Sequence, residues 1–312
     1  MKFYLGVTDI NWYTYLSRQN RDDVNFWQPG GNLAFRVLTA GHPFLFKLKS
    51  PINAIAGVGF FSSHTFLPLS MAWDVFGNGN GCTSLEELQG MIFPLRKDRS
   101  NPNPTIGCIV LTNPIFFRKE DWIDVPEDWK PSTQQGKSYS RETEIGRRTW
   151  QKIELLIQRY LPAAPIEKEN QLNLEEPETQ YGKSVLVKLR LGQGAFRVLV
   201  TDAYSRKCAI SGERTLPVLE AAHIKPYAKS GRHLISNSLL LRSDIHKLFD
   251  TGYLTITSDY KVEVSKRIKE EFENGKEYYR FHGGDLYNLP NDLMNKPAKE
   301  FMDWHNENVY KG

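Results

Sequence analysis

Residues 219–250, LEAAHIKPYAKSGRHLISNSLLLRSDIHKLFD, constrain the fold more than any other stretch of the chain. They hold three of the chain's seven histidines between short apolar runs. The run LPVLEAAHI predicts a strand that ends near His223, and SNSLLLRSDIHKLFDTG predicts a loop followed by a short helix. Gly252 fits the position just after that helix. A strand, a loop and a helix in so few residues bring several polar side chains close together.

The polar residues of this segment have the spacing of a hydrolytic metal site. Asn237 follows His223 by fourteen residues, His246 follows Asn237 by nine, and Asp250 follows His246 by four. On a helix over 244–250, His246 and Asp250 share one face, where they can bind Mg²⁺ or Mn²⁺. A neutral His223 can take a proton from water, and the Asn237 side-chain carbonyl can accept from its ring and orient it. The alternative is a buried, hydrogen-bonded loop in which Asp250 only bonds the turn after the helix.

The same segment resembles the HNH nuclease family, whose ββα-metal fold places His, Asn and His at these distances. The matching pattern, LEAAHI-P…N-LLLRSD-H-LFD-GY-T, is that of restriction-type members, and RLGQGAFRVLVTDAYSRKCAISGE before it and PAKEFMDWHNE after it also match. The resemblance covers residues 183–310. It implies a DNA endonuclease that uses one divalent cation, Mg²⁺ or Mn²⁺, with His223 as general base, Asn237 as its orienting partner and His246 as a metal ligand.

One position departs from the HNH pattern. Ala222 stands where many of these enzymes carry an Asp or His that binds the metal. Glu220, two residues earlier, lies on the same face of a regular strand and is the candidate for the missing carboxylate, with water as the alternative. Asp250 matches a later ligand position of colicin-type members. The resemblance therefore implies His246, Asp250 and Glu220 as metal ligands.

Positive charge is concentrated just before and within this segment. Ten Lys and Arg stand against three acids from Lys183 to Arg232, although the net charge of the whole chain is only +4. A local positive field suits a polyanion such as DNA, but a solvated basic face has the same composition. The GQG turn can also present backbone N–H groups to a phosphate, or Gln193 and Arg197 can tie the helix to the nuclease core. The candidate DNA contacts are Arg190, Gln193, Arg197, Lys225 and Arg242. His233 has no spacing argument, and we expect it to face solvent or a phosphate.

The part of the chain before residue 160 is predicted to be mostly β. FRVLTAGHPFLFKLK, NAIAGVGFF and TIGCIVLTNPIFF predict strands, TSLEELQGMI a helix start, and RETEIGRRTWQKIELLIQRYL a helix with an apolar stripe. Residues 161–181 then contain three prolines and five Glu against one Lys. Such a stretch is typical of a solvated linker. We therefore predict a domain over 1–160, a linker over 161–181 and a second domain over 182–312.

The first domain holds six of the seven tryptophans, several of them in loop-like contexts. Aromatic side chains on loops can stack on a base turned out of a duplex, although most of them can equally be core residues. The pattern NFWQPGG, FLFKLKSPINAIAGVGFF, GCIVLTNPIFF and WIDVPEDWKPSTQQGKSY resembles the PUA-like superfamily, particularly EVE-type domains. The resemblance implies a β-barrel that binds DNA with modified cytosine and holds the flipped base in a pocket. The candidate pocket residues are Trp27, Phe44, Trp73, Asn78 and Tyr139.

Taken together, the sequence predicts an α+β protein with an N-terminal PUA/EVE-like β-barrel and a C-terminal HNH ββα-metal nuclease. The implied function is a modification-dependent restriction endonuclease on double-stranded DNA. A single HNH site cuts one strand, so double-strand cleavage predicts a homodimer. Two alternatives stay open: an HNH nuclease with an unmodified DNA target, and a non-catalytic reader of modified nucleic acid, for which Ala222 is the support.

The general composition agrees with an intracellular globular protein. The 312 residues favour two domains, and no apolar run reaches the length of about 18 residues that a membrane span needs. Polar residues interrupt MKFYLGVTDINWYTYL, so we expect no signal peptide. Three widely spaced cysteines without a CxxC pair indicate a reducing compartment. We therefore expect a bacterial cytoplasmic location and no membrane partner.

Overall fold

The structure is a computed structural model that describes residues 1–160, 192–226 and 233–312. Within these ranges the chain has a mixed α+β fold. The strands are β1 (Lys2–Thr8), β2 (Asp23–Gln28), β3 (Pro43–Leu48), β4 (Ala54–Pro68), β5 (Thr105–Phe116), β6 (Ile123–Asp124), β7 (Gly136–Ser140), β8 (Leu219–His223), β9 (Ser238–Arg242), β10 (Leu254–Ile256) and β11 (Val262–Val264). The α-helices are α1 (Ile10–Leu16), α2 (Leu69–Phe76), α3 (Leu85–Ile92), α4 (Glu144–Tyr160), α5 (Gln193–Ala203), α6 (Ser243–Asp250), α7 (Arg267–Phe272), α8 (Lys276–Tyr279) and α9 (Lys299–Asn308).

Seven strands form one sheet, in the order β2-β5-β4-β3-β1-β7 with β6 paired to β4. Strand β1 runs parallel to β3 and antiparallel to β7, and β3 runs antiparallel to β4. Strands β2 and β7 end this path, and no pairing between them is found among the described residues. The predicted closure of the sheet into a barrel therefore stays a prediction. Two further two-stranded sheets are β8-β9 and β10-β11, and both are antiparallel.

Contacts divide the described chain into two compact units. The first unit holds residues 1–21, 35–62 and 111–160, and the second holds 22–34, 63–110, 192–226 and 233–312. The predicted linker over 161–181 lies outside the described residues, so the predicted domain boundaries stay a prediction. The cysteines at 82, 108 and 208 are free and buried.

Helix α4 supplies much of the core of the first unit. Its predicted apolar stripe is confirmed, because Trp150, Ile153, Leu156 and Ile157 are buried in one cluster with residues of β1, β3 and β4. Each such side chain stabilises the fold by about 1.5–3 kcal/mol when it is fully buried. The predicted helix start at 83–87 is also confirmed in the second unit, because Ser84 accepts from the Glu87 N–H at the first turn of α3.

Helix α5 joins two apolar clusters of the second unit. Phe196, Val200 and Tyr204 pack into the cluster formed around β8, β9 and α6. Ala195 and Val198 pack into a second cluster with α2 and β5. The helix thus has two buried faces, and packing against both clusters fixes its position. None of the helices in the described ranges is long and apolar enough to cross a bilayer.

Candidate active site

The site is built on a strand–strand–helix unit. Strand β8 pairs antiparallel with β9, and His223 lies opposite Ser238. Helix α6 begins at the residue after β9 and buries Ile245 and Phe249, one turn apart, in the apolar cluster. The helical spacing then places His246 and Asp250 on the neighbouring, more accessible face. The predicted strand and the predicted helix are both confirmed.

His246 lies between two carboxylates. Its Nδ1 is 2.6 Å from Glu220 Oε2, and its Nε2 is 3.3 Å from Asp250 Oδ2. The Asp250 contact spans one helical turn, whereas Glu220 reaches His246 from β8. Burial lowers the pKa of His246, but the hydrogen bonds to Asp250 and Glu220 outweigh it, so the net pKa is raised.

His223 has a rigid apolar support. Its ring stacks on Phe196 of α5 with centroids 4.2 Å apart and an interplanar angle of 10°. Burial, followed by the charges of His233 and His246, lowers the pKa of His223 to about 4, and Asp250 opposes this shift. The ring is therefore neutral at pH 7, as a general base must be. His246 and Asp250 therefore lie near enough to His223 to shift its pKa.

Asn237 acts on the chain beside His223. It is fully buried, its Oδ1 accepts from the Lys225 N–H at 2.9 Å, and its Nδ2 donates to the Lys225 carbonyl at 2.9 Å. We predicted that Asn237 would accept directly from the His223 ring. The contacts seen bind the backbone two residues after His223, and the direct contact with the ring stays a prediction.

The donor atoms fit a partly hydrated Mg²⁺ or Mn²⁺ ion. His246 Nε2 and Asp250 Oδ2 are 3.3 Å apart, close to the separation of two ligands that each lie about 2.1 Å from one cation. Glu220 binds the other ring nitrogen, as carboxylates do behind metal-bound histidines. This geometry favours an orienting role for Glu220 over the predicted role of direct ligand. Within the described ranges, no group of three or more His, Cys, Asp or Glu side chains could hold a metal.

The predicted DNA contacts differ in their surroundings. Gln193 is exposed at the start of α5, and Arg197 is half-buried. The Lys225 Nζ lies 5.5 Å from the centre of the Trp304 ring. Arg242 donates from Nε and Nη2 to Asp244, at 2.6 and 2.7 Å, and its predicted phosphate contact stays a prediction. Arg190 lies outside the described residues.

The GQG turn has a structural explanation. The Ala195 N–H at the start of α5 donates to Asp23 Oδ2 at 2.7 Å, so a carboxylate of β2 occupies the position that we predicted for a phosphate. A Cβ on Gly192 would lie 2.4 Å from Asp23, and one on Gly194 would lie 2.8 Å from Phe76. Glycine is therefore needed for the close approach of the helix to these side chains.

Two of the predicted pocket residues are core residues of the first unit. Phe44 is fully buried and contacts the rings of Tyr4 and Phe46. Tyr139 is buried, stacks on Phe3 at 5.7 Å, and donates its hydroxyl to Asp128 at 2.9 Å. Both rings are thus covered by neighbours in the structure, and their predicted role in binding a flipped base stays a prediction.

The other three predicted pocket residues lie in the second unit. Trp27 is half-buried and donates its Nε1 proton to the Asn80 carbonyl at 3.0 Å. Trp73 is half-buried against the cluster around α2, and Asn78 is exposed. A shared pocket of the five residues stays a prediction.

His233 is the site residue that sequence reasoning missed. Its Nδ1 lies 3.0 Å from His223 Nε2, and its ring also contacts Phe196. The signal available in the sequence was a third histidine within the segment, four residues before Asn237. The loop that brings it back to β8 has no periodic pattern, so its partner could not be deduced.

Comparisons with family models and with solved structures found similarities. A family model described as HNH endonuclease matches residues 208–257. Similar solved structures include ASCH from Zymomonas mobilis, with a TM-score of 0.33, 10% identity, and coverage of 49% of this chain and 94% of that chain. They also include a modification-dependent TagI restriction endonuclease, with a TM-score of 0.29, 13% identity, and coverage of 97% of this chain and 81% of that chain. The comparison with curated proteins found no match.

Sequence pattern and geometry converge on the same segment. It contains both strands of the β8-β9 pair, helix α6, and the site residues His223, Asn237, His246 and Asp250. His246 on α6 acts electrostatically on His223 of β8. The HNH endonuclease family model therefore matches the same residues, 208–257, that carry the site.

Proposed function

We propose that the chain is a modification-dependent restriction endonuclease, which recognises double-stranded DNA with modified cytosine and cuts it by a one-metal HNH mechanism. The nuclease part is carried by one observation: a neutral, stacked His223 within the electrostatic reach of His246 and Asp250. The preference for modified cytosine is supported by the resemblance of residues 1–160 to EVE-type domains. A DNA substrate inside the cell supports a location in the bacterial cytoplasm.

The chemistry assigned to the chain's residues follows from their positions. His246 Nε2 and Asp250 would hold the divalent cation, and Glu220 would keep the His246 ring in place. When bound, the cation stabilises the negative charge that builds on the scissile phosphate. His223 takes the proton of the attacking water, and Phe196 keeps its ring from rotating. Asn237 fixes the backbone that follows His223.

The test is a cleavage panel with the purified full-length chain. Plasmid DNA that is unmodified, methylated, hydroxymethylated or glucosylated at cytosine is incubated with Mg²⁺ or Mn²⁺, and nicked and linear products are measured. We expect cleavage of at least one modified substrate and none without a divalent cation. His223→Ala should lower the rate by about 10²–10⁴-fold and leave DNA binding measurable. His42→Ala, in the first unit, is the matched control and should cut normally.

The outcomes separate this function from its two rivals. Equal cutting of modified and unmodified DNA would identify an HNH nuclease with an unmodified target. Binding of modified DNA without any cutting, and with no effect of His246→Ala on Mn²⁺ binding, would identify a non-catalytic reader. Either result would overturn the proposal.

A further inference from the structure

The three rings of His223, His233 and Phe196 form one compact cluster. Phe196 lies 4.2 Å from the His223 centroid and 5.1 Å from that of His233. The two imidazoles are 4.9 Å apart at an angle of 63°, with His223 Nε2 and His233 Nδ1 at 3.0 Å. This is a hydrogen-bond distance, and with both rings neutral one nitrogen must donate and the other accept. The contact therefore couples the tautomers of the two histidines.

The surrounding charges indicate which ring donates. The negative charges of Asp22 and Asp23 act on His233 and oppose the lowering of its pKa by burial. Because His233 Nδ1 already faces His223, Nε2 is the ring nitrogen left for the proton that these charges favour. His233 Nδ1 is then an acceptor, and His223 must carry its proton on Nε2. Among the described residues, His223 Nδ1 has no hydrogen-bond partner, so its lone pair is available.

We propose that His233 is a positioning residue that holds His223 in the Nε2–H tautomer, so that Nδ1 is the nitrogen that takes the proton from the attacking water. This inference rests on the proposed nuclease function. In the step, an O–H bond of water breaks and its proton goes to His223 Nδ1, while the water oxygen forms a bond to phosphorus. The phosphorus bond to the leaving oxygen breaks, and that oxygen takes a proton from solvent.

The same contact also stabilises the product of the proton transfer. Once Nδ1 is protonated, His223 is an imidazolium whose Nε2–H still donates to His233. The charged or titratable groups that act on His223 are His233, His246 and Asp250, and those that act on His233 are Asp22 and Asp23. A substitution that removes the acceptor at position 233 no longer fixes the tautomer of His223. It also removes a hydrogen bond that stabilises the positive charge of the protonated His223 ring.

The test compares His233→Ala with His233→Asn in the full-length chain. The Asn side-chain oxygen can accept near the position of Nδ1, so the second variant restores the acceptor without the ring. Two quantities are measured: the ¹⁵N spectrum of the His223 ring, assigned with His223→Gln, and the single-turnover rate of DNA cleavage. Exposed His282→Ala is the matched control.

We expect the wild type to show a protonated Nε2 and an unprotonated Nδ1 on His223. His233→Ala should give mixed tautomers and a rate about 10–100-fold lower, which is the usual effect of losing an orienting partner. His233→Asn should recover both. An Nδ1–H tautomer in the wild type, or an unchanged spectrum and rate in His233→Ala, would overturn the inference. If the wild type cuts no DNA, the proposed function fails, and the spectra alone decide the role of His233.

Discussion

The residues of the site fall into two groups: those proposed to contact the attacking water or the cation, and those that orient these residues. In the proposed mechanism, His223, His246 and Asp250 act on the water and the cation, whereas Glu220 and Asn237 orient them. This division follows from which nitrogen or backbone group each side chain binds. It predicts different consequences for replacing a ligand and replacing an orienting group.

The orienting role of Glu220 can be tested by metal binding. Glu220→Gln keeps the length of the side chain but weakens the acceptor for His246 Nδ1, so we expect Mn²⁺ affinity to fall about 10–100-fold. Asp250→Ala removes a direct ligand and should abolish detectable binding. Isothermal titration with Mn²⁺ measures both, and the exposed Glu300→Gln is the control. Equal losses from the two variants would make Glu220 a ligand.

At the scale of elements, helix α5 and helix α9 position the nuclease core by close packing. Asp23 of β2 receives the first turn of α5, and His305 of α9 stacks on Phe249 of α6 with centroids 3.8 Å apart. The polar groups at both contacts, the Asp23 carboxylate and the His305 ring, are buried and have hydrogen-bond partners. Their loss should therefore be measurable as lower stability.

Two glycines in helical contexts should respond oppositely to alanine. Gly192→Ala places a methyl group against Asp23, and we expect a loss of about 1–3 kcal/mol in the free energy of unfolding. A methyl group added at Gly90, inside α3, would meet no neighbouring atom within 4 Å, so Gly90→Ala should stabilise by up to about 1 kcal/mol. Urea unfolding of both variants measures the difference. A neutral Gly192→Ala would contradict the close approach of α5 to β2.

His305 should make stability depend on pH. Burial lowers its pKa from 6.5 to about 4, with the Phe249 carbonyl and Asp250 opposing the shift. The folded protein then binds fewer protons than the unfolded chain between these values, so the free energy of unfolding falls as the pH falls through this window. The contribution is up to about 3 kcal/mol. We expect His305→Gln to lose less stability than the wild type between pH 7.5 and pH 4.5 in urea unfolding. Parallel pH profiles of the two proteins would refute this.

At the scale of the whole molecule, one chain offers one nuclease site. A single HNH site cuts one strand, so double-strand cleavage requires two chains on one DNA. We expect nicked product at low protein concentration and a steeper than linear increase of linear product at higher concentration. Gel analysis of a plasmid with target sites measures both, and sedimentation without DNA reports whether the dimer forms in solution. Linear product in strict proportion to protein concentration would contradict the homodimer.

Much of the site could be predicted because its spacing is local. The separation of four between His246 and Asp250 makes one helical turn, and the run before His223 reads as a strand. The partners of His233, Glu220 and Asn237 could not be predicted in the same way. Each depends on a contact across a loop or between separate elements, for which a linear spacing contains no signal. The burial of Phe44 and Tyr139 could not be predicted either, because aromatic composition does not distinguish an exposed ring from a covered one.

The sequence by itself determined the strand that ends at His223, helix α6 and the amphipathic helix α4, because periodicity and spacing act within one element; it missed β9, which was predicted as loop. Only the tertiary structure decided that His233 meets His223, that Glu220 binds the far nitrogen of His246, and that Asp23 occupies the start of α5. The physical reason is that the hydrogen-bond partner of a ring nitrogen or a helix end is chosen by packing between elements, which a linear pattern does not encode.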